Sequence, residues 1–353
     1  LLGFDVHAVK LDLILPVGIS FYTFQTLSYV IDVYRGQIEP EPHFGYYMLY
    51  VTFFPQLVAG PIERPENLIP QLHAYNKLTA ANVAGGLSKM IIGFFKKVVV
   101  ADLVAVYVNS VYNNAENATG FGVFLATVLF AVQIYCDFSG YTDIAIGCSE
   151  IMGIKLMQNF NMPYTAKTIK EFWGRWHISL SSWFKDYLYI PLGGSRCAVW
   201  RHQLNVLIVF LVSGLWHGSA WTFVLWGAIH GIYQIIGYFT AKPRKKLWTR
   251  LGVREDAWWL CTLKRFNTFM LVCFAWIFFR ANNFADLGVL LNKLFTDWSF
   301  NADYFRSALS SMNLTLTGIL ITVLSVTVMA ELDRDYVCEA RSEIKNWIQV
   351  RVT

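Results

Sequence analysis

Apolar runs follow one another along the chain, parted by short clusters of charged residues, Gly and Pro. The longest uncharged stretch covers residues 203–241, which hold no Asp, Glu, Lys or Arg. About 20 apolar residues cross a bilayer as a helix, so this stretch is long enough to enter lipid. Its middle reads Leu215-Trp216-His217-Gly218-Ser219-Ala220-Trp221. As a helix, residues 203–216 rise about 21 Å, short of a hydrocarbon core about 30 Å thick. The Gly218-Ser219 break is then expected to leave His217 deep in the protein and reachable from the cytosol. Basic residues flank both ends: Arg196 and Arg201 before, Lys242, Arg244, Lys245 and Lys246 after. With both clusters cytoplasmic, the stretch makes an even number of crossings or a deep re-entrant turn.

Residues 11–31 form a first spanning segment, which Pro16 and Gly18 can kink without breaking. Residues 46–59 are apolar but short and stop at Gly60-Pro61, the pattern of a re-entrant or interfacial piece. Residues 84–112 carry Lys89, Lys96, Lys97 and Asp102 within an apolar pattern. The lysines read as snorkelling anchors on the cytoplasmic side, with contact to donor phosphates as the alternative. Residues 117–136 are a clean span that ends at Asp137-Phe138-Ser139-Gly140-Tyr141-Thr142-Asp143, where Ser139-Gly140 is expected to bend the chain. Asp137 and Asp143 are expected to serve as buried partners for Arg175 or for backbone N–H groups.

In residues 167–188 the apolar positions 172, 173, 176, 180, 183, 184, 187 and 188 recur at three- and four-residue spacing and predict one aromatic-rich helix lying near the interface plane. Pro191-Leu192-Gly193-Gly194-Ser195-Arg196 reads as a turn. Further on, residues 242–265 read as a polar connection, 266–279 as a short apolar segment, 287–295 as a small helix and 314–330 as a last span. Residues 331–353 form a charged amphipathic tail expected on the membrane surface.

Composition agrees with the pattern. Of 353 residues, 55% are hydrophobic and only 15% charged, against about 25% charged in an ordinary soluble domain. The runs are continuous rather than alternating, which predicts an all-α polytopic membrane bundle and not a barrel. No polar linker divides the chain, so residues 1–353 read as a single domain. The net charge of +5 is modest and clustered in loops, as in segments facing anionic lipid, and does not suggest a nucleic-acid partner. Six cysteines without a C-x-x-C pair suggest neither a disulfide framework nor a zinc site. The chain begins Leu1-Leu2-Gly3, so upstream helices are expected to be missing.

An ionisable group at membrane depth is costly and is a functional-site hypothesis by default. Neutral imidazole titrates near physiological pH and can take a proton from a hydroxyl as an ester forms. Burial keeps it neutral. A thioester donor is already activated, so the protein needs a base, a donor to the oxyanion and a dry channel. His217 suits the base, and His177 can orient the acyl group or donate to the oxyanion. His230 is expected to make a structural hydrogen bond. No Gly-x-Ser-x-Gly elbow supports a covalent serine route. Two other readings compete: His177 and His217 as axial haem ligands, or a His/Asp proton relay in a transporter. No haem-attachment motif and no internal repeat supports them.

Several stretches together resemble the membrane-bound O-acyltransferase family, and within it the alginate O-acetylation branch, which also holds peptidoglycan O-acetyltransferases and the teichoic acid D-alanyl transfer protein. They are Leu15-Pro16-Val17-Gly18-Ile19-Ser20-Phe21-Tyr22, Ala59-Gly60-Pro61-Ile62, Gly93-Phe94-Phe95-Lys96-Lys97, Asp137-Phe138-Ser139-Gly140-Tyr141, Glu171-Phe172-Trp173 with Arg175-Trp176-His177-Ile178-Ser179, and Leu215-Trp216-His217-Gly218. The resemblance implies a bundle with re-entrant and interfacial helices around a central funnel, lacking its N-terminal helices here. It implies a multi-pass protein of the bacterial inner membrane, with acetyl-CoA as donor from the cytosol and no bound cofactor or metal. The acetyl group would go to an extracytoplasmic partner acetyltransferase or to a cell-envelope or secreted polysaccharide; D-alanyl transfer is the alternative. By the same resemblance His217 holds the catalytic position and His177 that of the second motif histidine. Trp173, Arg175, Trp176, Ser179 and Trp216, from the same motifs, are expected to meet substrate.

Overall fold

The computed structural model describes residues 18–352, with side chains for residues 18–334. Residues 11–17, which open the first expected span and the first family motif, lie outside the described residues. Every regular element among the described residues is helical. In chain order the α-helices are α1 (Ile19–Tyr34), α2 (Phe44–Val51), α3 (Pro65–His73), α4 (Ala80–Phe94), α5 (Asp102–Tyr112), α6 (Gly120–Ile151) and α7 (Ile169–Trp173). They continue with α8 (Ile178–Phe184), α9 (Val199–His217), α10 (Trp221–Arg250), α11 (Trp258–Arg280), α12 (Phe284–Thr296), α13 (Ala302–Ser311) and α14 (Leu316–Val352). By length and composition, α6, α9, α11 and residues 316–334 of α14 can each cross a membrane. The protein is thus an all-helical multi-pass membrane bundle.

Polar residues start several of these helices. The side chains of Thr79, Thr119, Thr168, Asn283 and Asn301 each accept a backbone N–H from the first turn of α4, α6, α7, α12 and α13, satisfying donors that the helix itself leaves open.

Between α4 and α5 the chain stays helical but widens into a π-helical turn, Phe95–Ala101. That turn moves Lys96 inward. It is 3% exposed and bonds Asp143 of α6 at 2.7 Å and Asp333 of α14. Lys96 is therefore not a snorkelling anchor. Lys97 stays half-exposed and pairs with Asp137 and Asp102. The two α6 carboxylates thus meet lysines, whereas Arg175 is held by Glu171 at 2.6 Å.

Helix α6 runs unbroken through Ser139-Gly140, so the chain does not leave the helix there. Glycine serves a different purpose at this point. A Cβ on Gly93 would stand 2.5 Å from the Gly140 carbonyl oxygen, and one on Gly86 2.4 Å from that of Gly147. Small residues seven apart on two antiparallel helices let the backbones of α4 and α6 touch.

Helices α9 and α10 form a hairpin in the same way. Gly214 lies against the Phe223 carbonyl and Gly227 against that of Phe210. Helix α9 begins before the uncharged stretch and rises about 28 Å over its length, so it is long enough to span. The hairpin's second arm also outruns the expectation, because residues 242–250 continue α10 rather than forming a polar connection. Helix α11 likewise starts eight residues earlier than its apolar run suggests.

The stretch 167–188 is not one interfacial helix. It divides into α7, a turn at Gly174–His177, α8 and a π-helical end. Phe172, Trp176, Leu180, Trp183 and Phe184 are all buried inside the protein. Helix α14 runs on through the expected surface tail, and Asp333 at the start of that tail is buried against Lys96.

Candidate active site

His217 is the last residue of α9 and is followed by extended Gly218. The hairpin tip therefore presents an imidazole where α9 stops, 16 residues past its one arginine, Arg201. Its ring lies 4.7 Å from Trp216, 5.1 Å from Trp226 and 5.2 Å from Phe279, all three edge-on. The side chain is half-buried, and neither ring nitrogen has a hydrogen-bond partner among the described residues. Neither nitrogen is sealed from the surface either, in contrast to Nε2 of His177 and of His230.

A cavity of about 350 Å³ that His217 itself does not line opens beyond Phe279, lined by Gln133 and Asp137 of α6, Thr222 and Phe223 at the start of α10, and Phe279 and Arg280 at the end of α11. Phe279 is a shared wall: it lines the cavity and touches His217. Arg280 is aimed by Asn282 at 3.0 Å and Asn109 at 2.6 Å.

His177 occupies the turn between α7 and α8. It is 2% exposed and takes a left-handed conformation with φ 45°, uncommon for a residue with a side chain. The turn is over-determined by its neighbours. Asn159 accepts Ile178 N–H on its backbone oxygen at 3.0 Å, and its Oδ1 receives the backbone N–H and the hydroxyl of Ser179 at 3.1 and 2.9 Å. His177 Nδ1 stands 3.1 Å from the same Oδ1. The ring meets Phe138 edge-on at 4.6 Å and lies 6.3 Å from both Phe21 and Trp216. Burial among these rings, with His217 close by, holds the His177 imidazole well below its ordinary pKa and hence neutral.

The residues expected to meet substrate divide into three settings. Trp216 meets both imidazoles, 4.7 Å from His217 and 6.3 Å from His177. Trp173 donates its indole N–H to His230 Nδ1 at 3.2 Å, which is the structural hydrogen bond expected of His230. Trp176, Ser179 and Arg175 support the His177 turn from behind: Trp176 is stacked on Phe172, Ser179 is bonded to Asn159, and Arg175 is bonded to Glu171 and Thr165. Asn159, Trp226 and Phe279 are the site residues that pattern reading missed. Trp226 precedes His230 by one helical turn, which is a readable spacing. Nothing in the segment Lys155–Pro163 marks Asn159.

Residues 37–278 match the model of the MBOAT, membrane-bound O-acyltransferase family. The chain is 38% identical over 322 residues to "Probable alginate O-acetylase AlgI" of Pseudomonas aeruginosa, covering 91% of this chain and 59% of that protein. It is 38% identical over 304 residues to the peptidoglycan O-acetyltransferase of Helicobacter pylori, covering 78% of this chain and 56% of the relative. It is 29% identical over 289 residues to the teichoic acid D-alanyltransferase of Bacillus subtilis, covering 79% and 72%. The chain therefore spans a little under 60% of the length of the first two relatives. Its helical bundle, the ordered motifs along it and the match over most of its length establish that the chain belongs to the membrane-bound O-acyltransferase family.

Proposed function

We propose that the protein is a membrane O-acetyltransferase of the bacterial inner membrane, moving an acetyl group from cytosolic acetyl-CoA toward a cell-envelope or secreted polysaccharide, directly or through an extracytoplasmic partner acetyltransferase. His217 acts as general base. The observation that carries this reading is the tip of the α9–α10 hairpin, where an imidazole with two unengaged nitrogens ends α9 one aromatic ring away from an open cavity. In the reaction the acceptor hydroxyl gives its proton to His217, its oxygen bonds the acetyl carbon, and the carbon–sulfur bond breaks to release CoA. Burial among Trp216, Trp226 and Phe279 favours the uncharged base that this step needs.

The hairpin supports a sidedness. Arg196 and Arg201 precede α9, and Lys242, Arg244, Lys245 and Lys246 lie near the far end of α10. The two arms are antiparallel, so these charges share one side, which is cytoplasmic by the positive-inside rule. The tip and its cavity then face the opposite side, and not the cytosol from which His217 was expected to be reached. Gln133, Asp137, Arg280 and Asn282 offer hydrogen-bond donors and acceptors there, the chemistry a polyhydroxyl acceptor needs. The relatives named for alginate and peptidoglycan support that class of acceptor.

The test is transfer from labelled acetyl-CoA in membranes holding wild type or His217→Ala. Transfer is expected to disappear with expression retained, and His177→Ala is expected to give a smaller but clear loss. Unchanged turnover in His217→Ala refutes the assignment. Label passing D-alanine but not acetyl would move the chain to the teichoic acid branch.

A further inference from the structure

Asn159 lies in the segment between α6 and α7 and is fully buried. Three groups converge on its side-chain oxygen: the Ser179 N–H at 3.1 Å, the Ser179 hydroxyl at 2.9 Å and His177 Nδ1 at 3.1 Å. A backbone N–H can only donate, so the atom Ser179 meets is the amide oxygen of Asn159 and not its NH₂ group. That oxygen can only accept. His177 Nδ1 must therefore carry the proton it presents. In a neutral imidazole the second nitrogen then has none. His177 Nε2 is buried and has no protein partner, so it keeps a bare lone pair inside the site.

We propose that Asn159 is a positioning residue that fixes His177 as its Nδ1–H tautomer, so that His177 serves the site as a hydrogen-bond acceptor through Nε2 and not as a donor to an oxyanion. The second half of this statement rests on the acyltransferase reading; the tautomer does not. The two roles differ in consequence. A neutral donor at Nε2 would stabilise charge developing on the acyl oxygen. An acceptor at Nε2 aligns an incoming O–H or N–H group instead. The backbone of Asn159 reinforces the lock, because its carbonyl holds Ile178 N–H at 3.0 Å and so keeps the left-handed turn that aims the ring.

The deciding measurement is the nitrogen NMR spectrum of the protein in lipid, labelled with ¹⁵N at histidine, with His177→Ala identifying the His177 signals. Wild type is expected to show a protonated Nδ1 and an unprotonated Nε2 at His177. Asn159→Asp, whose carboxylate accepts the same bonds, is expected to keep this tautomer. Asn159→Leu, of similar size but without an acceptor, is expected to release it to Nε2–H or to a mixture. In acetyl transfer, Asn159→Leu is expected to lower kcat about 10- to 100-fold, the scale of a misplaced group, with KM for acetyl-CoA within about threefold of wild type. Asn159→Asp is expected to recover most of that loss. An Nε2–H signal at His177 in wild type overturns the proposal, as does Asn159→Leu with an unchanged tautomer. Should Asn159→Leu fail to accumulate, the wild-type spectrum and Asn159→Asp still decide. A wild type with the expected tautomer but no acetyl transfer sinks the acyltransferase reading and leaves the tautomer standing.

Discussion

At the scale of single residues, Trp216 is the side chain that both imidazoles share. It stands 4.7 Å from His217 and 6.3 Å from His177, and it also meets Phe24 at 5.2 Å and Phe21 at 5.7 Å. Helix α1 thus helps fix the distance between the two histidines without touching His217. Trp216→Ala is expected to lower acetyl transfer about 10- to 100-fold, because ångström-scale misplacement of reacting groups costs rates of that order. Trp216→Phe, which keeps a ring in place, is expected to lose much less. Equal activity in both variants would make the indole mere filling. His217 stood out in the sequence because an ionisable group inside an apolar run is anomalous on its face, whereas His177, set among charged residues, stood out only through its motif. Asn159 did not stand out, since a lone polar residue in a connecting segment looks like any other loop residue until the fold brings it under residues 177–179.

At the scale of elements, apolar runs gave the existence of most helices and misjudged their ends. Helix α11 extends back over Trp258 and Trp259, and α10 carries five basic residues past its apolar part. Charged residues do not stop a helix that has left the hydrocarbon region. The stretch 167–188 failed for a different reason: its three- and four-residue spacing is real, but the left-handed turn at His177 divides it, and no local pattern announces positive φ at a histidine. The glycines of α4 and α6 were also unread.

Their role gives a stability test. Gly93→Val puts carbon within 2.5 Å of the Gly140 carbonyl and is expected to cost about 1–3 kcal/mol as an overpacked contact, seen as a lower melting temperature of the purified protein. Gly288 in α12 has open space where a Cβ would go. Gly288→Ala is expected to leave the melting temperature unchanged or raise it, by up to about 1 kcal/mol of helix propensity. If both variants melt like wild type, the α4–α6 contact is looser than these distances imply.

At the scale of the whole molecule, three distant parts of the chain meet at one buried charge. Lys96 is held by Asp143 and Asp333, and Tyr135 donates its hydroxyl to Asp333. Removing one member of such a cluster leaves a charge without compensation, at a typical cost of about 3–5 kcal/mol. Lys96→Met is therefore expected to reduce folded protein sharply, even though Lys96 touches neither histidine. Asp333→Asn, which keeps a polar group beside Lys96 and leaves Asp143 in place, is expected to be milder. Detergent-solubilised yield and melting temperature would report both. Wild-type stability in Lys96→Met would show that the cluster contributes nothing to holding the bundle.

The separation of Lys96 from Asp333 along the chain has a consequence for biogenesis. A ribosome delivers Lys96 to the membrane more than 230 residues before its second carboxylate. Of the two carboxylates that hold the cation in the finished fold, Asp143 follows 47 residues after Lys96 and Asp333 only 237 residues after it. The newborn protein is thus electrically unfinished until α14 arrives beside Lys96, and chains stalled before that point are expected to be shorter-lived than the finished chain, which a pulse-chase of truncations before and after Asp333 would read.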